Sequence, residues 1–323
     1  MKKTLLALFC LFQFSFIFAV NAKYESEDYN LNLDYNDVIT PGDAIFVRMT
    51  ITQQKNHKKA KSESEKKATL QLLQDKKVIE SAPFYNLKSK KSNVTEMLCG
   101  IPVSLWLKDG NYSIKVIFSD SDNEPKEFFL PSKLEMRTFP EEKIPLDAKN
   151  TSIKTDSSPE RAAQIEKLNN ILFTTMPSDI YSLKKFTTPT ESQRYTAYCG
   201  DRRTYVYSNG KTSTSLHYGN DYGVPTGTNV RSCAAGKVVL AESRISTGWS
   251  VVVEHLPGLY SLYYHMNELS VKEGDMVSQG QLLGKSGATG LATGPHLHWE
   301  IRLNGSAVRP EFFLKDFTFE DLQ

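Results

Sequence analysis

Four of the six histidines in this chain fall in three short stretches of its C-terminal half. These are His217-Tyr218-Gly219-Asn220-Asp221, Tyr263-Tyr264-His265 and Gly294-Pro295-His296-Leu297-His298. Histidine and aspartate are zinc ligands, and a catalytic zinc takes three protein ligands while keeping a position open for water. A His-x-x-x-Asp and a His-x-His supply that number, with histidines left over to move protons. Water on such an ion ionises near neutral pH. A neutral imidazole beside it can accept that proton and later give one to a leaving amine. The pattern points to a zinc hydrolase whose acid–base groups are histidines rather than a glutamate. His255, just before Pro257-Gly258, and His57, among lysines, read instead as a packed and a surface histidine.

These side chains need elements that aim them at one place. On a strand, residues two apart share a face, so His296 and His298 can address one cavity while Leu297 and Trp299 face away. Gly294-Pro295 forms a rigid turn that puts the pair at the start of its strand. His217 and Asp221 are four apart, but Gly219, Gly223 and Pro225 oppose a helix, which leaves a loop entering a strand. His265 is expected to end a third strand. Spacing does not say which of His296 and His298 is a ligand.

The rest of the chain reads as mainly β. From Tyr24 to about Pro145, short alternating runs such as Ile45–Ile51, Ala68–Leu73, Asn111–Phe118, Glu127–Leu130 and Lys133–Phe139 are separated by turns. This predicts an antiparallel, immunoglobulin-like β-sandwich over 23–145. The lysine-rich stretch from Gln53 to Lys67 is expected to be a solvated hairpin loop, since Glu63 and Glu65 interrupt it. Residues 146–183 are expected to be a linker with one amphipathic helix. Ser158 would cap it, Pro159 and Glu160 open it, and Ala162, Ile165, Leu168 and Leu172 carry its apolar spacing. Residues 184–323 form a glycine-rich β domain containing the histidine pattern.

Residues 1–22 read as a secretory signal: Lys2 and Lys3, an apolar run from Leu5 to Val20, then Val20-Asn21-Ala22. Cys10 sits in mid-run, where a lipoprotein cysteine would not be, and no membrane anchor is expected. Without the two leader lysines, 37 Lys+Arg face 37 Asp+Glu, so a general attraction to nucleic acid is not expected. Three cysteines remain, Cys99, Cys199 and Cys233. An odd count allows at most one internal bridge, with Cys199 and Cys233 the better pair and buried free thiols the alternative.

The 184–323 domain resembles the lysostaphin-type, or LytM, zinc endopeptidases that cut peptidoglycan cross-links. The resemblance runs in order through His217-x-Gly219-x-Asp221, Val224-Pro225-x-Gly227-Thr228, Tyr264-His265 and Val271-Lys272-x-Gly274-Asp275. It continues through Val277-x-x-Gly280-Gln281 and Gly287-Ala288-Thr289-Gly290 to Thr293-Gly294-Pro295-His296-Leu297-His298-Trp299-Glu300. It implies an antiparallel β domain with a zinc groove, zinc bound by His217, Asp221 and His298, and His265 and His296 as the catalytic histidines. Upstream, the sandwich, the helix and Cys199-Gly200-Asp201-Arg202-Arg203 resemble an exported subgroup. Cys199 departs from it, an aromatic being usual there. Arg202 or Arg203 is expected as a salt-bridged or surface arginine, with a contact to a peptide carboxylate as the alternative.

The implied activity is a D,D-endopeptidase acting on D-Ala–meso-diaminopimelate bonds, extending to D,D-carboxypeptidase action. The implied substrates are peptidoglycan stem peptides and cross-links. A monomer working in the periplasm is expected, secretion being the other possibility. Two other readings are a non-catalytic activator of cell-wall amidases, which the intact set of five site residues opposes, and a wall-binding module carried by the sandwich.

Overall fold

The structure, a computed structural model, describes residues 20–54, 66–89, 91–120, 124–174 and 179–322. Most of the leader and the centre of the lysine-rich stretch therefore lie outside the described residues. The strand Val20–Glu25 runs across the expected cleavage point and pairs with Tyr29–Tyr35.

The N-terminal half is a sandwich of two antiparallel sheets. One carries, in order, Val20–Glu25, Tyr29–Tyr35, Ala44–Gln53, Val94–Pro102 and Tyr85–Leu87; the other Lys126–Leu130, Tyr112–Ser119, Lys67–Gln74 and Lys77–Pro83. Alternation does the sorting: Leu31, Leu33 and Tyr35 from one sheet meet Ile114, Val116 and Phe118 from the other. The expected strand over 133–139 is only Lys133–Leu134, in parallel pairing with Val38–Ile39.

Ala44-Ile45-Phe46-Val47 breaks the alternation, with all four residues buried. The reason is that both faces are covered. Ile45 and Val47 enter the sandwich, whereas Ala44 and Phe46 join the core of the C-terminal domain. Phe46 lies among Phe317, Phe319, Phe313 and Phe312, with ring centroids 5.0, 5.2, 5.9 and 6.5 Å away. Gly100, opposite Phe46 in register, leaves room for that ring: a Cβ there would stand 2.3 Å from Phe46 Cε1. Asp43 adds polar ties, accepting from Arg137 at 2.9 Å and from Arg309 at 2.8 Å.

The end of the segment expected as the sandwich forms a strand beside the C-terminal domain, and the expected linker over 146–183 holds two helices rather than one among the described residues. Glu141–Pro145 pairs in parallel with Arg202–Val206, and a short helix follows, α1 (Ala148–Thr155), capped by Asp147. A second helix, α2 (Pro159–Leu172), starts on the Ser158 cap as expected. Its contact face is Leu168, Ile171 and Leu172 against Leu240, Val252, Tyr260 and Leu262, whereas Ile165 is exposed.

The C-terminal domain is built on an antiparallel sheet. Its path is Tyr195–Ala197, Asn220–Tyr222, Leu297–Leu303, Leu259–Leu269, Gly248–Leu256, Gly236–Arg244 and Met276–Val277. Cys99, Cys199 and Cys233 are free and buried, so the pairing of Cys199 with Cys233 is not made. Cys199 packs with Leu105, Leu216 and Ala307, while Cys233 belongs to the main core.

Candidate metal centre

Register across three neighbouring strands assembles the site. Asp221 on Asn220–Tyr222 lies opposite His298 on Leu297–Leu303, and His298 lies opposite Tyr264 on Leu259–Leu269. Residues in one such row share a face, so their side chains are neighbours. The Tyr264 ring stacks on the His298 ring at 5.5 Å with a 3° interplanar angle. His217 arrives from the loop after Thr212–Leu216, where its backbone N–H donates to the Asp201 carbonyl. Between it and Asp221, Gly219 passes close to the next strand: a Cβ there would stand 2.3 Å from the Trp299 carbonyl oxygen.

Three atoms converge. His217 Nε2 lies 3.2 Å from Asp221 Oδ1 and 3.0 Å from His298 Nδ1, and the latter two are 2.7 Å apart. The other nitrogen of each imidazole is spoken for. His217 Nδ1–H donates to the Tyr198 carbonyl at 2.8 Å, and His298 Nε2–H donates to the Glu300 carboxylate at 2.9 Å. A carbonyl or carboxylate only accepts, so these contacts fix the tautomers and turn two imidazole lone pairs and a carboxylate toward one point. Such a donor set suits a divalent cation and fits zinc by ligand type and number. Backing of each ligating imidazole by an acceptor is also the usual arrangement around a metal.

The charges around this point are strongly coupled. Burial opposes ionisation of Asp221, yet His217 and His298 hold its pKa well below the ordinary carboxylate value. Burial likewise opposes protonation of His298, but Asp221 and Glu300 overcome it and hold the pKa up at about 9. Arg203 bonds the second oxygen of Asp221 at 2.8 Å, and Glu142 reaches Arg203 at 3.6 Å. Arg203 is therefore salt-bridged, as read from the sequence.

His265 and His296 stand beside the convergence point, their rings 4.7 Å apart. His265 does not end its strand, which runs on to Leu269. It sits instead at a bulge in the pairing with Gly248–Leu256, with φ +59°, a left-handed conformation that a non-glycine residue adopts only where its surroundings enforce it. Regular alternation would send Tyr264 and His265 to opposite faces. The bulge lets both line the groove. Thr247 O receives the His265 backbone N–H, and Thr289 O receives its Nδ1–H at 2.8 Å. Burial first, then His296 and His298, pushes the His265 pKa down to about 3. His296 Nδ1–H donates to the Gly294 carbonyl at 2.8 Å, leaving Nε2 3.7 Å from Asp221 Oδ1.

All five singled-out residues line one groove of about 520 Å³, while His255 lies buried elsewhere. Glu300 is a functional residue that the histidine pattern does not single out, although its place two residues after His298 on a strand puts it on the same face. The carbonyls of Tyr198 and Thr289 leave no side-chain signal. Glu142, Ile144, Leu146 and Lys154 reach the groove from the segment read as domain end and linker.

The fold and site define a metallopeptidase-type β domain. Residues 215–310 match Peptidase family M23, and the C-terminal domain belongs to that family. The chain is 42% identical over 95 residues to the DD-carboxypeptidase/endopeptidase Mpg of Neisseria meningitidis serogroup B, covering 29% of this chain and 22% of that protein. It is 40% identical over 92 residues to the peptidoglycan DD-endopeptidase ShyA of Vibrio cholerae, covering 28% and 21%. The chain thus spans about a fifth of the length of these curated relatives. A Pseudomonas aeruginosa peptidase M23 structure aligns over 87% of this chain and 96% of its own, with a TM-score of 0.52 and 22% identity. That likeness is one of fold, and it takes in the N-terminal half as well.

Proposed function

We propose that this chain is a zinc-dependent peptidoglycan hydrolase that cleaves peptide cross-links. The bond is that between D-alanine and meso-diaminopimelate, with removal of terminal D-alanine within reach of the same site. The observation that carries this reading is the set of three unshared donor atoms on His217, Asp221 and His298, turned toward one point beside two further imidazoles. The activities named for Mpg and ShyA support the choice of substrate.

His217, Asp221 and His298 hold the ion. Zinc, when bound, supplies a Lewis acid for the scissile carbonyl and acidifies a water. His265 and His296 each commit Nδ1–H to a backbone carbonyl, so each presents Nε2 to the groove. One accepts the proton of the attacking water at Nε2 and passes it to the leaving amine; the other hydrogen-bonds the carbonyl oxygen, as charge develops there, in its imidazolium form, with Nε2–H as the donor. Arg203 bonds the second Asp221 oxygen and holds the carboxylate in place. Such an enzyme works outside the cytoplasm, in the periplasm, and residues 1–22 would export it. Among the described residues no helix is long and apolar enough to cross a membrane.

The test is metal analysis of the purified protein combined with digestion of cross-linked muropeptides, followed by mass spectrometry. Bound zinc is expected. Dimers should be cut to monomers, and cleavage should vanish with a chelator, return on adding zinc, and be absent in His217→Ala. Cleavage at the wild-type rate in His217→Ala, or zinc-loaded protein that leaves every dimer intact, overturns the proposal.

A further inference from the structure

One wall of the groove comes from outside residues 215–310. The strand Glu141–Pro145 and helix α1 bring Glu142, Ile144, Leu146 and Lys154 into the cavity that holds the metal-site side chains. The carboxylates lining this cavity all face cationic partners. Asp221 and Glu142 face Arg203, and Glu300 faces Arg302 and His298.

Arg203 is matched in this way, but two other cations of the groove, Lys154 and Arg194, are not. Lys154 meets no carboxylate among the described residues. Its Nζ lies 4.3 Å from the centroid of the Tyr205 ring, itself part of the groove. The charges it feels are like its own: burial first, then Arg161 and Arg203, push its pKa down. Lys154 is half-buried, so the ammonium is partly desolvated without a counter-ion, which is unfavourable unless something else supplies the negative charge. Arg194 also lines the groove and meets no carboxylate among the described residues. Its Cζ would lie 3.4 Å from a Cβ on Gly223, two residues after Asp221.

We propose that Lys154 is a specificity-determining residue that receives a carboxylate of the peptide lying in the groove. The inference deepens the peptidoglycan reading and rests on it for the identity of the peptide. The stem peptides of a cross-link carry free carboxyl groups beside the bond to be cut, and a compact ammonium on a flexible stem suits one of them. The Tyr205 ring holds the ammonium facing the groove while it waits for that partner.

The test uses full-length protein with His296→Ala, which keeps the three metal-site residues but should not turn substrate over. Lys154 is kept or changed to Met or Arg in that background. Each protein is titrated calorimetrically with a cross-linked muropeptide dimer and with the same dimer after its carboxyls have been converted to amides. With Lys154 present, the free-carboxyl form should bind about tenfold or more tightly than the amide, the worth of one charge-assisted hydrogen bond. Lys154→Met should erase that preference while leaving affinity for the amide, zinc content and melting temperature unchanged. Lys154→Arg should keep part of it. A preference unchanged in Lys154→Met, or no binding of either dimer, overturns the inference. A preference that depends on Lys154, together with no cleavage by zinc-loaded wild type, sinks the hydrolase reading alone.

Discussion

Glu300 shows how much of the site lies one step behind the candidate ligands. It accepts from His298 Nε2 at 2.9 Å and pairs with the half-buried Arg302 at 2.6 Å, so it fixes both the tautomer and the direction of the His298 lone pair. Replacing it by Gln keeps the shape and removes the charge. Zinc affinity in Glu300→Gln, measured by competition with a chromogenic chelator, should fall about 10–100-fold; unchanged affinity would count against the assigned tautomer. His255 makes a different prediction, because it is buried away from the metal centre. It donates from Nδ1 to the Ala235 carbonyl and accepts at Nε2 from Ser261, both at 2.8 Å. Burial pushes its pKa down to about 4. The folded protein therefore binds this proton less readily than the unfolded chain, whose histidine titrates near 6.5. Stability from this residue is fully present above about pH 6.5 and is lost as pH falls toward 4, by about 3 kcal/mol at most. In zinc-free protein, the drop in urea midpoint between pH 7 and pH 4.5 should be smaller for His255→Gln than for wild type. An equal drop would show that the histidine is not neutral in the fold.

At the scale of elements, the site depends on two local departures from regular geometry. One is the tight passage at Gly219, which lets the loop bearing His217 lie against the strand bearing His298. A Cβ 2.3 Å from the Trp299 carbonyl oxygen cannot be accommodated without moving one of them. Gly219→Ala should therefore lose zinc while the far-ultraviolet circular dichroism stays that of a β protein; zinc retained at wild-type affinity would contradict the close approach. The other is the bulge at His265. The motif Tyr264-His265 was legible in the chain, and so was the common face of His296 and His298, because period-two alternation is a local property. The bulge was not. Nothing in Leu262-Tyr263-Tyr264-His265 announces a positive φ at its last residue, which is enforced by hydrogen bonds that His265 donates to the carbonyls of Thr247 and Thr289, distant in sequence.

For the whole molecule, the two halves share a core rather than a tether. Phe46 leaves the sandwich to sit among four phenylalanines of the C-terminal segment, and Asp43 binds Arg309 across the same boundary. Phe46→Ala should destabilise the protein by about 3–5 kcal/mol. The loss should appear in calorimetry as a lower melting temperature of the C-terminal domain as well as of the sandwich. A shift confined to the sandwich would mean that the halves unfold independently. The parallel pairing of Glu141–Pro145 with Arg202–Val206 and the placement of α1 have the same character. They make the connection between the halves into a wall of the groove.

The sequence by itself determined which chemistry was available and which side chains would share a face. His217, Asp221, His265, His296 and His298 are scarce residue types in a glycine-rich β pattern, and strand periodicity acts over two or three residues. It also determined the cap that opens α2 and the alternating strands of the sandwich. Only the tertiary structure decided that the Ala44–Val47 run is buried on both faces, that Glu142, Ile144, Leu146 and Lys154 line the groove, and that Lys154 stands there without a carboxylate partner among the described residues. The physical reason is the range of the interactions. Alternation, capping and turn chemistry are written in neighbouring residues. Burial of a second face, backbone acceptors for histidine N–H groups and the balance of charge around a cavity depend on segments brought together from far along the chain.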